Sequence, residues 1–312
     1  MRLGLDTLID PRLRFLVDET RVFYEKRAAG TSPSSFAELR ETRASLAKPV
    51  PAQPPAVEVL AEAAGRSVPL RIHTPAARAA KGVFLDIHGG GFYLGSAAAG
   101  DVRNRQLADT LGIAVVSVDY RLAPEHPWPA APDDCETAAL WLAEHARPRF
   151  GTANLAVGGF SAGATLAMTT LLRLRNRGTT AFNCAVLQFG TYDLSAQTPA
   201  GRLIADEYFL EAYAGTAPDR TNPDLSPLYA EPSNLPPILM VIGEADILLQ
   251  DNLAMAARLS AANTDIELRV YPDAPHGFTG HPTPMAQAAL DDINTWLEGH
   301  LSPKPEPLAA GR

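Results

Sequence analysis

Cysteine is scarce in this chain of 312 residues: Cys135 and Cys184 are the two present, and neither belongs to a CxxC pair. A disulfide framework is therefore excluded, and both thiols read as small buried hydrophobes. Positive charge is in deficit, with 27 Lys and Arg against 35 Asp and Glu and a formal net charge of -8. Nucleic acid and anionic membrane surfaces demand basic patches, so this balance argues against both. A neutral or weakly polar small molecule is the expected ligand. Long apolar runs are missing too: Ile238–Ile242 is among the longest, far below the ~20 residues that span a bilayer. Charged residues interrupt Met1–Arg27 and leave no h-region for a secretory signal, and Leu308–Arg312 carries no lipidation or retention motif. A soluble, cytoplasmic protein with no membrane span is expected. Nothing repeats along the chain. What is present is a sequence 46% hydrophobic and 20% charged, too apolar for disorder. Its length suffices to bury roughly three quarters of the unfolded surface without staples.

Short β-branched runs alternate with helical patterns, the mark of a mostly parallel sheet covered on both faces. The runs predict strands at Ala56–Leu60, Val68–His73, Val83–His88, Ile113–Asp119, Leu155–Gly158, Cys184–Phe189, Ile238–Gly243 and Ile266–Tyr271. From the third onward they are almost continuously apolar, as strands buried on both faces must be. Ala61–Ser67, between the first two, is short enough for an antiparallel hairpin. Apolar periodicity predicts helices at Val102–Leu111, Asp133–His145, Ala162–Arg177, Asn252–Ala262 and Pro284–Glu298, with Gly178 and Gly299 as C-caps. Two stretches break the alternation. Residues 10–47 read as two helices separated by Gly30–Ser34, before any strand. Residues 195–230 place Pro, Gly and Asn punctuation between the sixth and seventh strands, as a lid or binding element does. Lys48–Pro55 reads as a linker and Pro303–Pro307 as the start of a frayed tail.

The chemistry concentrates at the ends of these strands. Gly159-Phe160-Ser161-Ala162-Gly163 fits G-x-S-x-G, with a strand before it and a helix after it. A nucleophile on so sharp a turn has a crowded backbone, and flanking glycines relieve the clash. The helix N-terminus there favours developing negative charge. His88-Gly89-Gly90-Gly91 follows the third strand, and glycines let backbone N–H groups converge on one point, as an oxyanion hole requires. A phosphate cradle fits poorly, because the spacing is that of neither nucleotide motif and no Lys follows. His88 reads as a structural hydrogen-bonding residue. A serine needs an imidazole, and the imidazole needs a carboxylate to orient it. His276 lies directly after the last strand and Asp246 after the seventh, both at the edge where open α/β sheets bind ligands. Glu244 and Asp251 are rival acids, and His281 is a rival base. His73, His126, His145 and His300 lack a matching location.

These residues resemble the hormone-sensitive-lipase-like branch of the α/β-hydrolases, which comprises bacterial carboxylesterases. The resemblance rests on His88–Gly91, on Val118-Asp-Tyr-Arg-Leu-Ala-Pro-Glu-His-Pro-Trp-Pro129, on Gly159–Gly163, on Asp246-Ile-Leu248 and on His276-Gly-Phe278, and spans roughly residues 56–300. It implies an α/β-hydrolase fold with an eight-stranded, mostly parallel sheet flanked by helices and a helical cap. Carried over by position, it implies Ser161 as nucleophile, Asp246 as orienting acid and His276 as base. It also implies the amides of Gly90, Gly91 and Ala162 as the oxyanion hole, and a structural role for Asp119–Pro129. The family commonly has Asp or Thr before the serine and two glycines after the alanine; here Phe160 and Ala164 stand in place of the first and of the second glycine.

The implied organisation is N-terminal cap helices at 1–50, a catalytic core at 51–194 and 231–302, a cap insertion at 195–230 and a tail at 303–312. The implied activity is hydrolysis of short- to medium-chain carboxylic esters through an acyl-enzyme, with no cofactor and no metal. Dimerisation through the edge strand Ile266–Tyr271 and the last helix is a family habit. A peptidase using the same triad is disfavoured, since no propeller-like repeat domain is present. A non-catalytic relic of the scaffold is disfavoured because no triad member is missing.

Overall fold

Eight of the apolar runs form strands of a single sheet: β1 (Val57–Ala63), β2 (Arg66–His73), β3 (Val83–Ile87), β4 (Ala114–Val118), β5 (Leu155–Phe160), β6 (Cys184–Gln188), β7 (Ile238–Gly243) and β8 (Ile266–Tyr271). The computed structural model describes residues 4–27, 32–76 and 79–301. The expected tail at 303–312, and Gly30 and Thr31 of the expected interhelical break, lie outside them. The strand order is β1-β2-β4-β3-β5-β6-β7-β8. Strand β2 runs antiparallel to both its neighbours, and the pairs from β4–β3 through β7–β8 are parallel. The carboxyl ends of β3, β5, β6, β7 and β8 therefore meet at one edge, and each loop that carries a candidate residue leaves from it. Strands β3, β4 and β7 are buried at every position, which is why their sequence shows no alternation.

The β1–β2 hairpin is tighter than expected. Ala64 and Gly65 take positive φ of 52° and 74°, a two-residue turn that matches strand twist, so the ladder consumes most of the predicted connection.

Eight helices occur among the described residues: α1 (Val17–Glu25), α2 (Phe36–Ser45), α3 (Asp101–Leu111), α4 (Ala130–Phe150), α5 (Ala162–Asn176), α6 (Tyr208–Ala214), α7 (Leu249–Ala261) and α8 (Pro284–Leu301). Helices α3 and α8 pack on one face of the sheet, together with Ile9, Leu13 and Leu16 from the N-terminal segment. Helices α4, α5 and α7 cover the other. Cys135 and Cys184 are buried, one in each layer. Gly178 follows α5 at φ 73° and donates its N–H to the Arg175 carbonyl, so it ends the helix as expected. Gly299 does not. Helix α8 runs through it to Leu301, because Trp296, Leu297 and Leu301 are all buried along the same stripe and packing outweighs the glycine. Helix α4 likewise outlasts its predicted end, passing Pro148 until Phe150 is buried and Gly151 caps it in the left-handed region.

Candidate active site

The turn between β5 and α5 is where the chain is most constrained. Ser161 sits at φ 54° and ψ −125°, a conformation that L-residues avoid and that packing must enforce. A Cβ on Gly159 or on Gly163 would overlap the Ile87 carbonyl oxygen, so the elbow closes against β3 only with glycine at both positions. The Ser161 amide donates to the Gln188 carbonyl at 2.9 Å, which fixes the turn to the end of β6.

His276, on the loop after β8, lies with Nε2 2.9 Å from Ser161 Oγ and Nδ1 3.0 and 3.1 Å from the two Asp246 oxygens. An ionised carboxylate only accepts, so Nδ1 carries the proton and Nε2 is left as the acceptor for the serine hydroxyl. Asp246 follows β7, is buried, and also accepts the Leu248 amide at 2.8 Å. The Phe189 ring meets the His276 ring edge-on at 5.2 Å. The rival residues sit elsewhere. Glu244 accepts the Asp273 amide, Asp251 is buried against the amides of Tyr192 and Asp193, and His281 bonds the Tyr24 hydroxyl at 2.9 Å.

The glycine loop after β3 packs against the Ser161 turn, where a Cβ on Gly89 would meet the Phe160 carbonyl and ring. Gly90 and Gly91 take φ of 117° and 58°, and the Gly90 carbonyl accepts from the amides of Tyr93 and Leu94. Among the described residues, the amides of Gly90, Gly91 and Ala162 donate to no protein group. Ala162 is the first residue of α5, where an N–H lacks an intrahelical acceptor. His88 is turned away: its Nδ1 donates to the Gly89 carbonyl at 2.8 Å and its ring stacks on Tyr120 at 4.1 Å. Burial holds this imidazole below its ordinary pKa. Residues 119–129 brace the loop. The Tyr120 hydroxyl donates to the His88 carbonyl, Asp119 accepts the Ala97 amide, and the Ala123 amide donates to the Phe92 carbonyl. Arg121 pairs with Asp134, and Glu125 with Arg43 of α2.

Phe160, in the place of the expected Asp or Thr, packs its ring against Gly89, where a Cβ would come within 2.7 Å. The Arg103 guanidinium lies 5.0 Å over that ring and pairs with Asp86. Ala164 is fully buried in the core. The residue before Ser161 thus makes an apolar contact beneath the glycine loop.

Two segments approach the site from outside the sheet. From the 195–230 insertion, Phe209 of α6 stands against Gly91, 3.4 Å from where a Cβ would lie. From the N-terminus, α1 touches the loop of His276 through Tyr24–His281 and Arg21–Asp273. Helix α2 reaches the glycine-loop side through Arg43, which donates to the carbonyls of Tyr93 and Ala123. Sequence reasoning named Ser161, Asp246 and His276, the last within hydrogen-bonding distance of the other two, but did not single out Thr165, Phe189 or Asn252 beside them. Each makes a long-range contact that no local pattern announces: Thr165 to Thr191, Phe189 to His276 and Asn252 to Gly190. Among the described residues no cluster of three or more His, Cys, Asp or Glu could hold a metal ion, and no helix is long and apolar enough to cross a membrane.

Similarity to known proteins follows the same lines. An arylesterase of Saccharolobus solfataricus is 31% identical over 306 residues, covering 91% of this chain and 99% of the relative. The carboxylic ester hydrolase LipN of Mycobacterium tuberculosis is 33% identical over 258 residues, covering 75% and 68%. Among solved structures, a thermostable esterase from Pseudomonas putida superimposes with a TM-score of 0.79 at 27% identity, covering 92% of this chain and 98% of that one. Residues 84–280 match the alpha/beta hydrolase fold family, and the chain belongs to that family, in its hormone-sensitive-lipase-like branch.

Proposed function

We propose that the chain is a serine carboxylester hydrolase working through an acyl-enzyme. The observation that carries this reading is the continuous relay of hydrogen bonds Ser161–His276–Asp246, with 2.9 Å at the serine end. In it Ser161 attacks the ester carbonyl while His276 Nε2 accepts the hydroxyl proton, and Asp246 stabilises the imidazolium that forms. The carbonyl oxygen becomes an oxyanion held by the amides of Gly90, Gly91 and Ala162, donors that have no protein acceptor among the described residues. His276 then returns its proton to the leaving alcohol. Water, deprotonated by the same imidazole, cleaves the acyl-serine and restores the hydroxyl. The ester-hydrolysing names of the relatives support the substrate class.

In this reading residues 1–50 and 195–230 form a cap over the core, and Phe209 above Gly91 limits the acyl group to short and medium chains. Self-association through β8 and α8 remains part of the proposal. Ile9 bridges Val270 there, which leaves Ile266–Arg269 of the edge for a partner, and light scattering measures it. The decisive experiment is Ser161→Ala. Hydrolysis of p-nitrophenyl butyrate falls by about 10⁴-fold or more, leaving what binding and the oxyanion hole supply, with circular dichroism unchanged. An organophosphate labels Ser161 in the intact chain. Full-rate turnover by the variant would end the covalent-serine reading.

A further inference from the structure

Residues 188–193, at the end of β6 and after it, touch Ser161 and His276 and are linked to Asp246 through Asn252 and Leu248. The Gln188 carbonyl accepts the Ser161 amide, and Phe189, at φ 40°, packs on His276. Thr165, one helical turn after Ser161, donates its hydroxyl to the Thr191 carbonyl at 2.7 Å and accepts the Thr191 amide at 3.2 Å. The Thr165 amide in turn donates to the Ser161 carbonyl. From the opposite side, the first turn of α7 grips the same segment. The Asn252 side-chain amide donates to the Gly190 carbonyl at 2.8 Å and to the Leu248 carbonyl at 2.9 Å. Leu248 is the residue whose N–H the Asp246 carboxylate holds. Asp251 accepts the amides of Tyr192 and Asp193 through one oxygen. A continuous chain of hydrogen bonds thus runs from the serine turn to the acid turn through residues 188–193.

We infer that Asp251 and Asn252 are positioning residues of the ester-hydrolysing site, acting through this segment to set the distance between Ser161, His276 and Asp246. The inference rests on the serine reading above. Two features argue that the pair is more than core filling. Asp251 is 1% and Asn252 0% exposed, and a buried carboxylate is disfavoured unless it performs work that an apolar residue would not. Among the described residues, moreover, Asp251 Oδ1, Asn252 Oδ1, the Tyr192 hydroxyl and the Thr191 hydroxyl are buried without partners. None of the four has a hydrogen-bond partner among those residues, an arrangement that core filling alone does not favour. Burial, with a smaller push from the neighbouring Asp193 charge, brings the Asp251 carboxyl up to about 6 against the pull of the two amides. The titratable groups facing Asp251 are Asp193, Tyr192 and Tyr229. Burial alone would raise Asp193, but hydrogen bonds from Ser195 and Thr198 outweigh it and hold that carboxyl low, so its charge persists while Asp251 titrates. A neutral carboxyl accepts amide hydrogen bonds less strongly than a carboxylate. Acid therefore weakens the grip on the segment separately from protonating His276.

The test combines two substitutions with three readouts on the full chain. Asp251→Ala is expected to lower kcat for p-nitrophenyl butyrate at least tenfold with KM within twofold, since the substrate does not touch it. Asp251→Asn keeps a neutral acceptor for the amides but no charge, so at pH 8 its kcat falls by about the factor that protonation of Asp251 costs the intact chain. In the intact chain the acid limb of log kcat/KM approaches a slope of two, one proton for the base and one for Asp251; in Asp251→Asn it is one. Stoichiometric labelling by a fluorophosphonate counts the folded sites in each preparation. Equal acid slopes in the intact chain and Asp251→Asn overturn the positioning role, as does an unchanged kcat in a fully labelled Asp251→Ala protein. Failure of the intact chain to label overturns the serine reading itself, and this inference with it.

Discussion

Asp246 and Asp251 flank the start of α7, and both are nearly inaccessible, yet their partners differ. Asp246 faces an imidazole and one amide, whereas Asp251 faces two amides and another carboxylate. Asp246→Asn puts an amide beside His276 Nδ1, able to donate where the carboxylate only accepted. The imidazole then holds its proton on Nε2, where it cannot take one from Ser161. The expected loss in kcat is roughly 10⁴-fold with the fold intact, checked by steady-state kinetics beside circular dichroism. Larger losses in Glu244→Gln or Asp251→Asn than in Asp246→Asn would reassign the acid. Asp251 makes a different statement about pH. Its folded-state pKa, pushed by burial up to about 6 from 3.8, lies above the unfolded value. Its contribution to stability is therefore whole below pH ~3.8 and is lost as pH rises through ~6. Removing the charge in Asp251→Asn should stabilise the protein at pH 8 by up to about 3 kcal/mol and by about half that at pH 5. Urea unfolding at the two pH values measures the difference. A gain independent of pH would show that the charge is not what strains the site.

At the scale of elements, the eight strands were legible as short β-branched runs, apolar throughout where burial is on both faces, as at Val83–Ile87 and Ile238–Gly243. Their ends were less so. The hairpin ladder extends to Ala63 and resumes at Arg66 because two positive-φ residues suffice to turn it. Helix α8 passes Gly299 because its last apolar residue, Leu301, still has a core to enter. Such limits depend on what packs against an element, which its own sequence does not contain. The two helical glycines make opposite predictions. A Cβ on Gly299 meets nothing within 4 Å, so Gly299→Ala gains helix propensity and stabilises by about 0.5 kcal/mol. A Cβ on Gly163 would overlap the Ile87 carbonyl and approach that of His88 at 2.7 Å. Gly163→Ala must push α5 away from β3 and costs roughly 2–3 kcal/mol, with kcat falling as the elbow shifts. Urea midpoints moving the same way for both would contradict the packing described here.

For the molecule as a whole, the sheet brings Ser161, Asp246 and His276 together, and in the proposed function the segments outside it shape access. Ser161, Asp246 and His276 were readable because each stands in a short motif directly after a strand. Phe209 over Gly91 was not, since that contact exists only once the insertion has folded back on the glycine loop. The N-terminal segment straddles the site in the same manner. Tyr24 and Arg21 hold the His276 side and Arg43 the glycine-loop side, while Ile9, Leu13, Leu16 and Leu39 are buried against the core. None of these residues belongs to the proposed relay or its amides. Removing residues 1–45 should therefore leave Ser161 reactive toward a fluorophosphonate while widening the acyl pocket and admitting water to it. The profile from acetate to palmitate p-nitrophenyl esters is expected to shift toward longer chains with a raised KM. The uncovered apolar surface should also make the truncated chain more prone to aggregate. Circular dichroism establishes that the core has folded before rates are compared. Where aggregation prevents that comparison, Phe209→Ala in the intact chain puts the same question to the other half of the cover. A folded, labelled truncation with the chain-length profile of the intact protein would show that the N-terminal helices only seal the flank of the sheet and take no part in choosing the ester.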